Sequence, residues 1–293
     1  MKHFSTETFL RNRQESRASL RRQLAALGFN FSALLASPLA NPKIQKGIGK
    51  VGVMTFPMHL APSNVSGFNT CASASPACIA ACLDQAGNPI SFDAKRQARI
   101  NRTLAFYKAR PLFLRLLKLE MLAAISKAKK AGFAPAFRLN ATSDIRWESV
   151  RFDCGLSVAQ FAIDNGAEIY DYTKHANRRH APAKYHLTFS WAGDNESRAI
   201  EAFANGLNVA IPFNTSRNKA LPAFFKLGEN WVPVFDGDND NGDFRPLDPT
   251  GHVIGLRFKF DTSPQAPSRP QQLQAGINAG FVIDATDETR ARA

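Results

Sequence analysis

Three of the four cysteines of this 293-residue chain lie close together, in the stretch NTCASASPACIAACLDQAG (69–87). Cys71, Cys78 and Cys82 have the spacing C-x6-C-x3-C. Thiolates bind zinc and iron–sulfur clusters, and they also take part in redox exchange. A C-x2-C redox pair does not occur in the sequence, which favours a metal-binding site over a redox pair.

The residues around these cysteines predict a short helix. Ser75 is a residue type that caps helix N-termini, and Pro76 suits the first helical position. The segment ACIAACL then continues with residues of high helix propensity. A helix here places Cys78 and Cys82 four residues apart on one face, with Cβ atoms ~5–6 Å apart. Cys71 can fold back over the helix start, so we expect the three thiols to converge.

Three interpretations of this convergence stay open. Three thiolates suit a [4Fe-4S] cluster that leaves one iron free for an exogenous ligand. Structural zinc usually takes four protein ligands, and no fourth Cys or His is near in sequence. Small cysteines can also pack into a core without any metal. The number of thiols favours the cluster. Cys154 has no partner in sequence, and we expect it to be a core residue.

Short apolar runs alternate with helical patterns through the rest of the chain, which predicts an α/β fold with a parallel sheet. Apolar residues recur at helical spacing over 93–109 and 112–131. The predicted strands lie at 51–56, 135–140, 168–173, 185–190, 208–213, 232–238 and 252–259. Such a sheet is either open and doubly wound or a complete or partial barrel. About seven strands favour a partial parallel (β/α) barrel of the TIM-like kind.

Polar side chains cluster directly after several of these runs. The carboxyl ends of parallel strands meet at one mouth of a barrel, so we expect these side chains to line one pocket. The candidate catalytic residues are Lys174, Asp171 and Asp236. The candidate cofactor-binding residues are Asn140, Thr142, Ser143, Asp144 and Asp238. The run DGDNDNGD is acidic, but Asn241 stands where a calcium loop of the EF-hand type requires glycine.

The two ends of the chain differ in composition from its middle. Residues 1–45 are arginine-rich and predict a basic N-terminal arm, and residues 261–293 predict a flexible C-terminal tail rich in Pro, Ser and Gln. The barrel domain is then expected over 46–260. A formal net charge of +13 favours nucleic acid as a partner. No apolar run reaches the ~18 residues that span a bilayer. We therefore expect a cytoplasmic protein without a membrane partner.

Several sequence blocks together resemble the gene-product-88-like family of phage and bacterial proteins. The blocks are the cysteine segment, NATSDI, YDYTKHANRR, YHLTFSWAGDNE and VFDGD, in that order and across about residues 41–260. The resemblance implies a phage or prophage origin, and hence the host cytoplasm. It implies no particular reaction.

The order of parts also resembles radical S-adenosylmethionine (SAM) enzymes, in which a loop with three cysteines follows the first strand of a partial (β/α) barrel. Here VGVMTF is the first strand and Cys71, Cys78 and Cys82 match the three cluster ligands in role, although those enzymes usually have C-x3-C-x2-C. The resemblance implies a [4Fe-4S] cluster with SAM at the open iron, and it places LNATSD beside the SAM amino group. With the basic charge, we expect an enzyme acting on nucleic acid or nucleotides. The alternative is a nucleic-acid-binding protein with a structural zinc or iron–sulfur site and no catalysis.

Overall fold

The computed structural model describes residues 15–40, 42–80, 82, 93–239, 243–261 and 266–292. The strands in these ranges are β1 Val53–Pro57, β2 Ala134–Arg138, β3 Glu168–Thr173, β4 Tyr185–Ser190, β5 Asn208–Phe213, β6 Phe224–Leu227, β7 Asn230–Asp236, β8 Val253–Arg257 and β9 Ala291–Arg292. The α-helices are α1 Arg17–Ala26, α2 Pro42–Val51, α3 Pro76–Ala80, α4 Asp93–Lys108, α5 Arg110–Lys130, α6 Val158–Asp164, α7 Glu196–Ala204 and α8 Arg269–Asn278. None of these described helices is both long and apolar enough to cross a bilayer.

The nine described strands form one open sheet in the order β1-β2-β3-β4-β5-β8-β7-β6-β9. The strand pairs β1–β2, β2–β3, β3–β4, β4–β5, β5–β8 and β8–β7 are parallel. Strand β6 runs antiparallel to both of its neighbours, β7 and β9. The prediction of a mostly parallel α/β fold is therefore confirmed. The TIM-like partial barrel is not confirmed, because β6, β7 and β9 extend the sheet beyond β8 and leave β1 and β9 at opposite edges.

The helices that connect the parallel strands pack on one face of the sheet. The strand register aligns Phe137 of β2 with Ile169 of β3, and it places Phe189 of β4 on the same face. Phe137 and Ile169 share an apolar cluster with Leu116 of α5, and Phe189 packs in the next cluster with Ala199 of α7. Strands β1 to β5 occur in the sheet in the same order as in the sequence. Each connection between them therefore advances across the sheet in the same direction.

The opposite face of the parallel strands carries more polar and aromatic side chains. The Tyr170 hydroxyl donates to Thr55 Oγ1 at 3.2 Å, and the Arg138 guanidinium lies 4.9 Å from the centre of the Tyr172 ring. The segment after β7 covers part of this face, where Phe244 packs edge-on against Tyr170. The sheet thus has an apolar, helix-covered side and a polar side.

The described part of the predicted N-terminal arm (1–45) packs onto the body. Leu20 and Leu24 of α1 are fully buried against α5. The Glu120 carboxylate on α5 accepts the backbone N–H of Leu34 at 2.9 Å. The prediction of an arm differs from the structure. The arginines of α1 dominate its composition, whereas the few leucines that pack it against the body contribute little to that composition.

The described part of the predicted flexible tail (261–293) is also folded onto the sheet. It contains α8 and β9, and β9 pairs with β6. The Ile283 N–H donates to the Pro212 carbonyl of β5 at 2.9 Å, and Trp191 Nε1 donates to the Gly280 carbonyl at 2.8 Å. These partners are distant in sequence, so local composition does not reveal them.

Candidate functional site

The loop after β1, residues 61–80, carries Cys71 and Cys78 and lies across the carboxyl ends of the next three strands. We call it the cysteine loop. It is hydrogen-bonded to the segments that follow β2, β3 and β4. These bonds include those of Thr70 O with the Asp144 N–H (2.9 Å), of Ser73 Oγ with His175 Nδ1 (2.8 Å) and of the Ala77 N–H with the Asp194 carboxylate (3.3 Å). The site therefore forms where parallel α/β sheets usually place one.

The helix predicted in this loop begins as expected but ends early. The Ser75 hydroxyl caps α3 by accepting the Cys78 N–H at 3.2 Å. The helix ends at Ala80, so Cys82 lies beyond it and the predicted common helical face of Cys78 and Cys82 is not formed. The Cys82 N–H donates to the Ile79 carbonyl at 3.3 Å, which is a tighter turn than an α-helix makes.

The three clustered thiols share one electrostatic environment, and all three are partly buried. Burial, together with the charges of Cys78 and Cys71, raises the pKa of Cys82 to about 12. Burial is also the main reason that the pKa of Cys71 is raised, although the Ser63 N–H donates to its sulfur at 3.4 Å. Cys71 and Cys82 therefore become thiolates at neutral pH only with a compensating cation. Cys154, in contrast, is exposed rather than a core residue.

Lys174 brings a positive charge to this environment. Its Nζ donates to the Ser190 carbonyl at 2.7 Å, to the Ser190 hydroxyl at 3.0 Å and to the Trp191 carbonyl at 2.9 Å. Burial lowers the pKa of Lys174, while the charges of Cys78 and Asp144 raise it. The predicted catalytic Lys174 thus lies beside the predicted metal ligand Cys78.

Three of the predicted cofactor-binding residues build the loop after β2. Asn140 Oδ1 accepts hydrogen bonds from the Ser143 hydroxyl at 3.0 Å and from Trp147 Nε1 at 3.1 Å. The Thr142 hydroxyl donates to the Leu60 carbonyl at 2.6 Å, which ties this loop to the segment after β1. These hydrogen bonds are made to other groups of the protein. The three side chains therefore position the backbone of the loop after β2.

Asp144 is the predicted cofactor-binding residue that faces the cysteines. Its Oδ2 accepts the Lys174 N–H at 2.7 Å, and its negative charge raises the pKa of Cys71. Its Oδ1 is buried without a hydrogen-bond partner and lies 3.6 Å from Arg178 Nη1. This oxygen therefore has the Arg178 guanidinium as its charge partner.

Asp171 lies on the helix-covered face of β3 and is fully buried. It accepts the Asn140 N–H at 2.7 Å and the Tyr185 hydroxyl at 2.7 Å. Burial raises its pKa to about 7, although these hydrogen bonds act in the opposite direction. It was predicted to be catalytic, but strand alternation turns position 171 away from Lys174 and toward the helices. The structure gives it a positioning role for the loop after β2.

Asp236 and Asp238 lie together at the ends of β7 and β8. Arg257 Nη1 donates to Asp236 Oδ1 at 2.8 Å, and the Arg257 N–H donates to Asp238 Oδ2 at 2.8 Å. These carboxylates join two neighbouring strand ends. Strand β7 lies four positions from β3 in the sheet. Asp236 and Asp238 are therefore grouped with Arg257 and not with the side chains that follow β3.

Sequence reasoning did not select the side chains that fasten the cysteine loop. Arg146 Nη2 approaches His175 Nδ1 at 3.1 Å, and the loop residue Ser73 approaches the same nitrogen. Arg198 Nη1 donates to the Ser73 carbonyl at 2.9 Å. One signal was present in the sequence, because His175 directly follows Lys174 at a strand end.

No group of three or more His, Cys, Asp or Glu within the described ranges is arranged to hold a metal ion. Zinc draws its thiolates to within about 4 Å of one another, since each Zn–S bond is ~2.3 Å. The geometry therefore gives a single-ion zinc site no support. A [4Fe-4S] cluster binds each thiolate through a different iron and so tolerates wider spacing.

Comparison with known proteins identifies a protein family. The family model for gene product 88 matches residues 32–284. No curated protein and no solved structure matches the chain. The match extends past the predicted limits of 41 and 260, as expected from the packing of both ends onto the sheet. The chain belongs to the gene product 88 family, a family of phage gene products.

Proposed function

We propose that this protein is an iron–sulfur enzyme of the radical SAM type, with a [4Fe-4S] cluster held by Cys71, Cys78 and Cys82. The observation that supports this most is the position of Cys71 and Cys78 on a loop after β1 that is hydrogen-bonded to the segments following β2, β3 and β4. The chain order of β1 to β5, with helices on one face, supports a partial-barrel curvature. When bound, such a cluster supplies the electron that cleaves SAM reductively.

The surrounding residues orient and enclose the bound groups. Asp144 follows β2 and its charge acts on Cys71, and we assign this carboxylate to the amino group of SAM. Lys174 compensates the charge of the sulfur of Cys78. Asn140 and Thr142 hold the loop that carries Asp144, so they act through its position.

The polar face of the sheet is suited to a polar, anionic substrate such as a nucleotide or nucleic acid. Arg138 forms an ion pair with Asp243 and lies over the Tyr172 ring, and Thr188 is aligned with Tyr172 on the next strand. Guanidinium and aromatic groups are the usual partners of phosphates and bases. The net charge of +13 supports the same substrate class.

Anaerobic purification tests the cluster. We expect a brown protein with absorbance at about 400 nm and about four irons per chain. Alanine substitution of Cys71, Cys78 or Cys82 should remove most of the iron, whereas the matched control Cys154→Ala, at an exposed cysteine, should retain it. Release of methionine from SAM under reducing conditions then tests the reaction class. Iron content that is unchanged in Cys82→Ala, or a protein that takes up no iron, would reject the proposal.

The net charge also supports a second candidate function, which is nucleic-acid binding without catalysis. In that case the purified protein binds single- or double-stranded nucleic acid, and its affinity falls steeply as the salt concentration rises. A filter-binding titration at two salt concentrations measures this. An affinity that does not change with salt would remove the electrostatic basis of the second candidate.

A further inference from the structure

An aromatic stack lies beside the cysteine loop, where α4 ends and α5 begins. The ring centres of Phe68, from the cysteine loop, and Tyr107, from α4, are 4.5 Å apart, and the angle between the ring planes is 8°. Phe106 meets Tyr107 edge-on at 5.0 Å. Both stacked residues are partly exposed, whereas Phe106 is only 2% exposed. Two parallel rings that solvent reaches form a flat aromatic surface.

Hydrogen bonds hold this stack in place. The Tyr107 hydroxyl donates to the Asn69 carbonyl, directly after Phe68, at 2.8 Å. The Thr70 N–H donates to the Ser63 carbonyl at 3.1 Å, which closes the turn that carries Phe68. The aromatic surface is therefore formed before any ligand binds, and little conformational entropy is lost on binding.

Two exposed cations, Lys108 and Arg110, lie on the same aromatic cluster. Lys108 Nζ is 5.9 Å from the centre of the Phe68 ring, and the Arg110 guanidinium carbon is 4.6 Å from the centre of the Phe106 ring. Neither cation forms an ion pair with a carboxylate of the described residues. Exposed rings attract such charges only weakly. An anion that approaches the stack therefore meets two cations that no described carboxylate neutralises.

The stack lies on the same side of the sheet as the candidate site. Helix α5 has 21 residues, so it is ~31 Å long, and it packs along β2 and ends close to the start of that strand. Its first residue, Arg110, therefore lies toward the carboxyl ends of the parallel strands. The cysteine loop that carries Phe68 is bonded to the segments after β2, β3 and β4. A ligand on the stack is thus adjacent to the candidate site.

An aromatic face with neighbouring cations suits a single-stranded nucleic acid. Unpaired bases stack on exposed rings, and the phosphates between them bind lysine and arginine. The bases of a duplex stack on one another, and taking one out costs free energy. We propose that Phe68 and Tyr107 form a base-stacking surface for a single-stranded nucleic acid whose phosphates bind Lys108 and Arg110. The inference rests on the nucleic-acid part of the proposed function and does not require a cluster.

Fluorescence anisotropy with a fluorescein-labelled strand of about 12 thymidines tests the inference, since known single-strand sites span ~4–16 nucleotides. We expect Phe68→Leu, which keeps an apolar side chain and removes the aromatic face, to raise the Kd about ten-fold. Phe68→Trp should keep the Kd within about two-fold, because indole also offers a stacking face. The matched control is Phe224→Leu, at an exposed phenylalanine of β6, and its Kd should equal that of the unsubstituted chain.

Two double variants test the phosphate contacts. Lys108→Gln with Arg110→Gln removes two charges beside the rings, and Lys127→Gln with Lys130→Gln removes two exposed charges at the other end of α5. The first double variant should reduce the slope of log K against log salt concentration by about 1.4, which is ~0.7 for each phosphate contact. The second should leave the slope unchanged. All four side chains are exposed, so this comparison decides the matter if Phe68→Leu does not fold.

The outcomes separate the inference from the proposed function. An unchanged Kd in Phe68→Leu, or equal salt slopes in the two double variants, overturns the inference and leaves a nucleic-acid partner in place. A duplex of the same length that binds more tightly than the single strand also overturns it. An unsubstituted chain that binds no strand overturns the inference and the nucleic-acid part of the proposed function together, and the iron content still tests the cluster separately.

Discussion

Ser73 and His175, which are 102 positions apart in sequence, are joined by a hydrogen bond of 2.8 Å between Ser73 Oγ and His175 Nδ1. Arg146 Nη2 lies 3.1 Å from the same ring nitrogen. Arginine has donors and no acceptor, so we assign Nδ1 as the acceptor and the Ser73 hydroxyl as a donor. Burial is the main cause that lowers the pKa of His175, which keeps the ring neutral in this role. The middle of the cysteine loop is thus fastened to the end of β3.

Removing this hydrogen bond should loosen the cysteine loop. In Ser73→Ala we expect amide hydrogen exchange over residues 69–80 to become about five-fold faster, as the loss of about 1 kcal/mol implies. Mass spectrometry of the exchanged protein measures this segment. The matched control is Ser149→Ala, at an exposed serine, and it should leave the exchange of 69–80 unchanged. Equal exchange in both variants would show that the Ser73 hydroxyl does not fasten the loop.

Asp171 predicts a pH dependence of folding stability. Burial raises its pKa to about 7 in the folded state, whereas its ordinary pKa in an unfolded chain is about 3.9. Between these two values the folded state holds a proton that the unfolded state has lost. The free energy of unfolding that Asp171 contributes at low pH is therefore lost as the pH rises through about 7. The expected slope from this one group is ~1.4 kcal/mol per pH unit.

Urea denaturation at a series of pH values measures that slope. Asp171→Asn does not titrate, so its free energy of unfolding should fall less steeply between about pH 4 and 7 than that of the unsubstituted protein. Asp164→Asn, at an exposed position in α6, is the matched control and should keep the original slope. Other titrating groups are common to all three proteins and cancel in the comparison. A slope that Asp171→Asn leaves unchanged would contradict the raised pKa.

Sequence patterns predicted the central strands well because β-branched and aromatic residues are concentrated in them and turn residues lie between them. The predicted limits 168–173, 185–190 and 208–213 coincide with β3, β4 and β5. β6 and β9 were not predicted. β6 has four residues, Phe224–Leu227, and it pairs with a two-residue strand near the end of the chain. Short antiparallel strands of this kind depend on partners that local periodicity does not reveal.

The candidate site was predicted in its position and only partly in its partners. Spacing placed the three thiols together, and the strand-end rule selected Lys174 and Asp144. The same rule also selected Asp171. Strand β3 is buried on both faces, so its sequence does not alternate between polar and apolar residues in a way that tells which face Asp171 lies on. The contacts of Ser73 with His175 join distant segments, and such contacts follow from the fold rather than from local sequence.

The buried ion pair between Arg178 and Glu148 should contribute strongly to stability. Two hydrogen bonds of 2.6 Å join the guanidinium to the two carboxylate oxygens, and the side chains are 1% and 4% exposed. Glu148→Gln leaves the Arg178 charge buried with Asp144 at 3.6 Å as its remaining anion. We expect the free energy of unfolding to fall by about 3–5 kcal/mol in chemical denaturation.

An exposed ion pair provides the comparison for this prediction. Lys118 donates to Asp153 at 2.8 Å, and the Asp153 side chain is more than half exposed. Lys118→Met should lower the free energy of unfolding by less than about 1 kcal/mol. Similar losses in Glu148→Gln and Lys118→Met would show that burial does not strengthen the Arg178–Glu148 pair.

Gly193 lies where the chain after β4 meets the C-terminal segment. Its φ is +87°, and a Cβ atom built there would lie 2.5 Å from the Ala279 carbonyl oxygen and 2.5 Å from the Gly280 carbonyl carbon. Gly206 has the same φ of +87° and nothing within 4 Å of such an atom. Gly206→Ala therefore measures the backbone strain alone, which should be about 1–2 kcal/mol.

Gly193→Ala adds a collision with the backbone of the C-terminal segment to the same strain. We expect it to lower the free energy of unfolding by a further 1–3 kcal/mol or so, the usual range for overpacking. It should also speed limited proteolysis within residues 266–292, because the collision is relieved most easily by moving this segment away from Trp191. Gly206→Ala should leave that proteolysis unchanged. Equal stability of the two variants would mean that the C-terminal segment is not packed against Gly193 in solution.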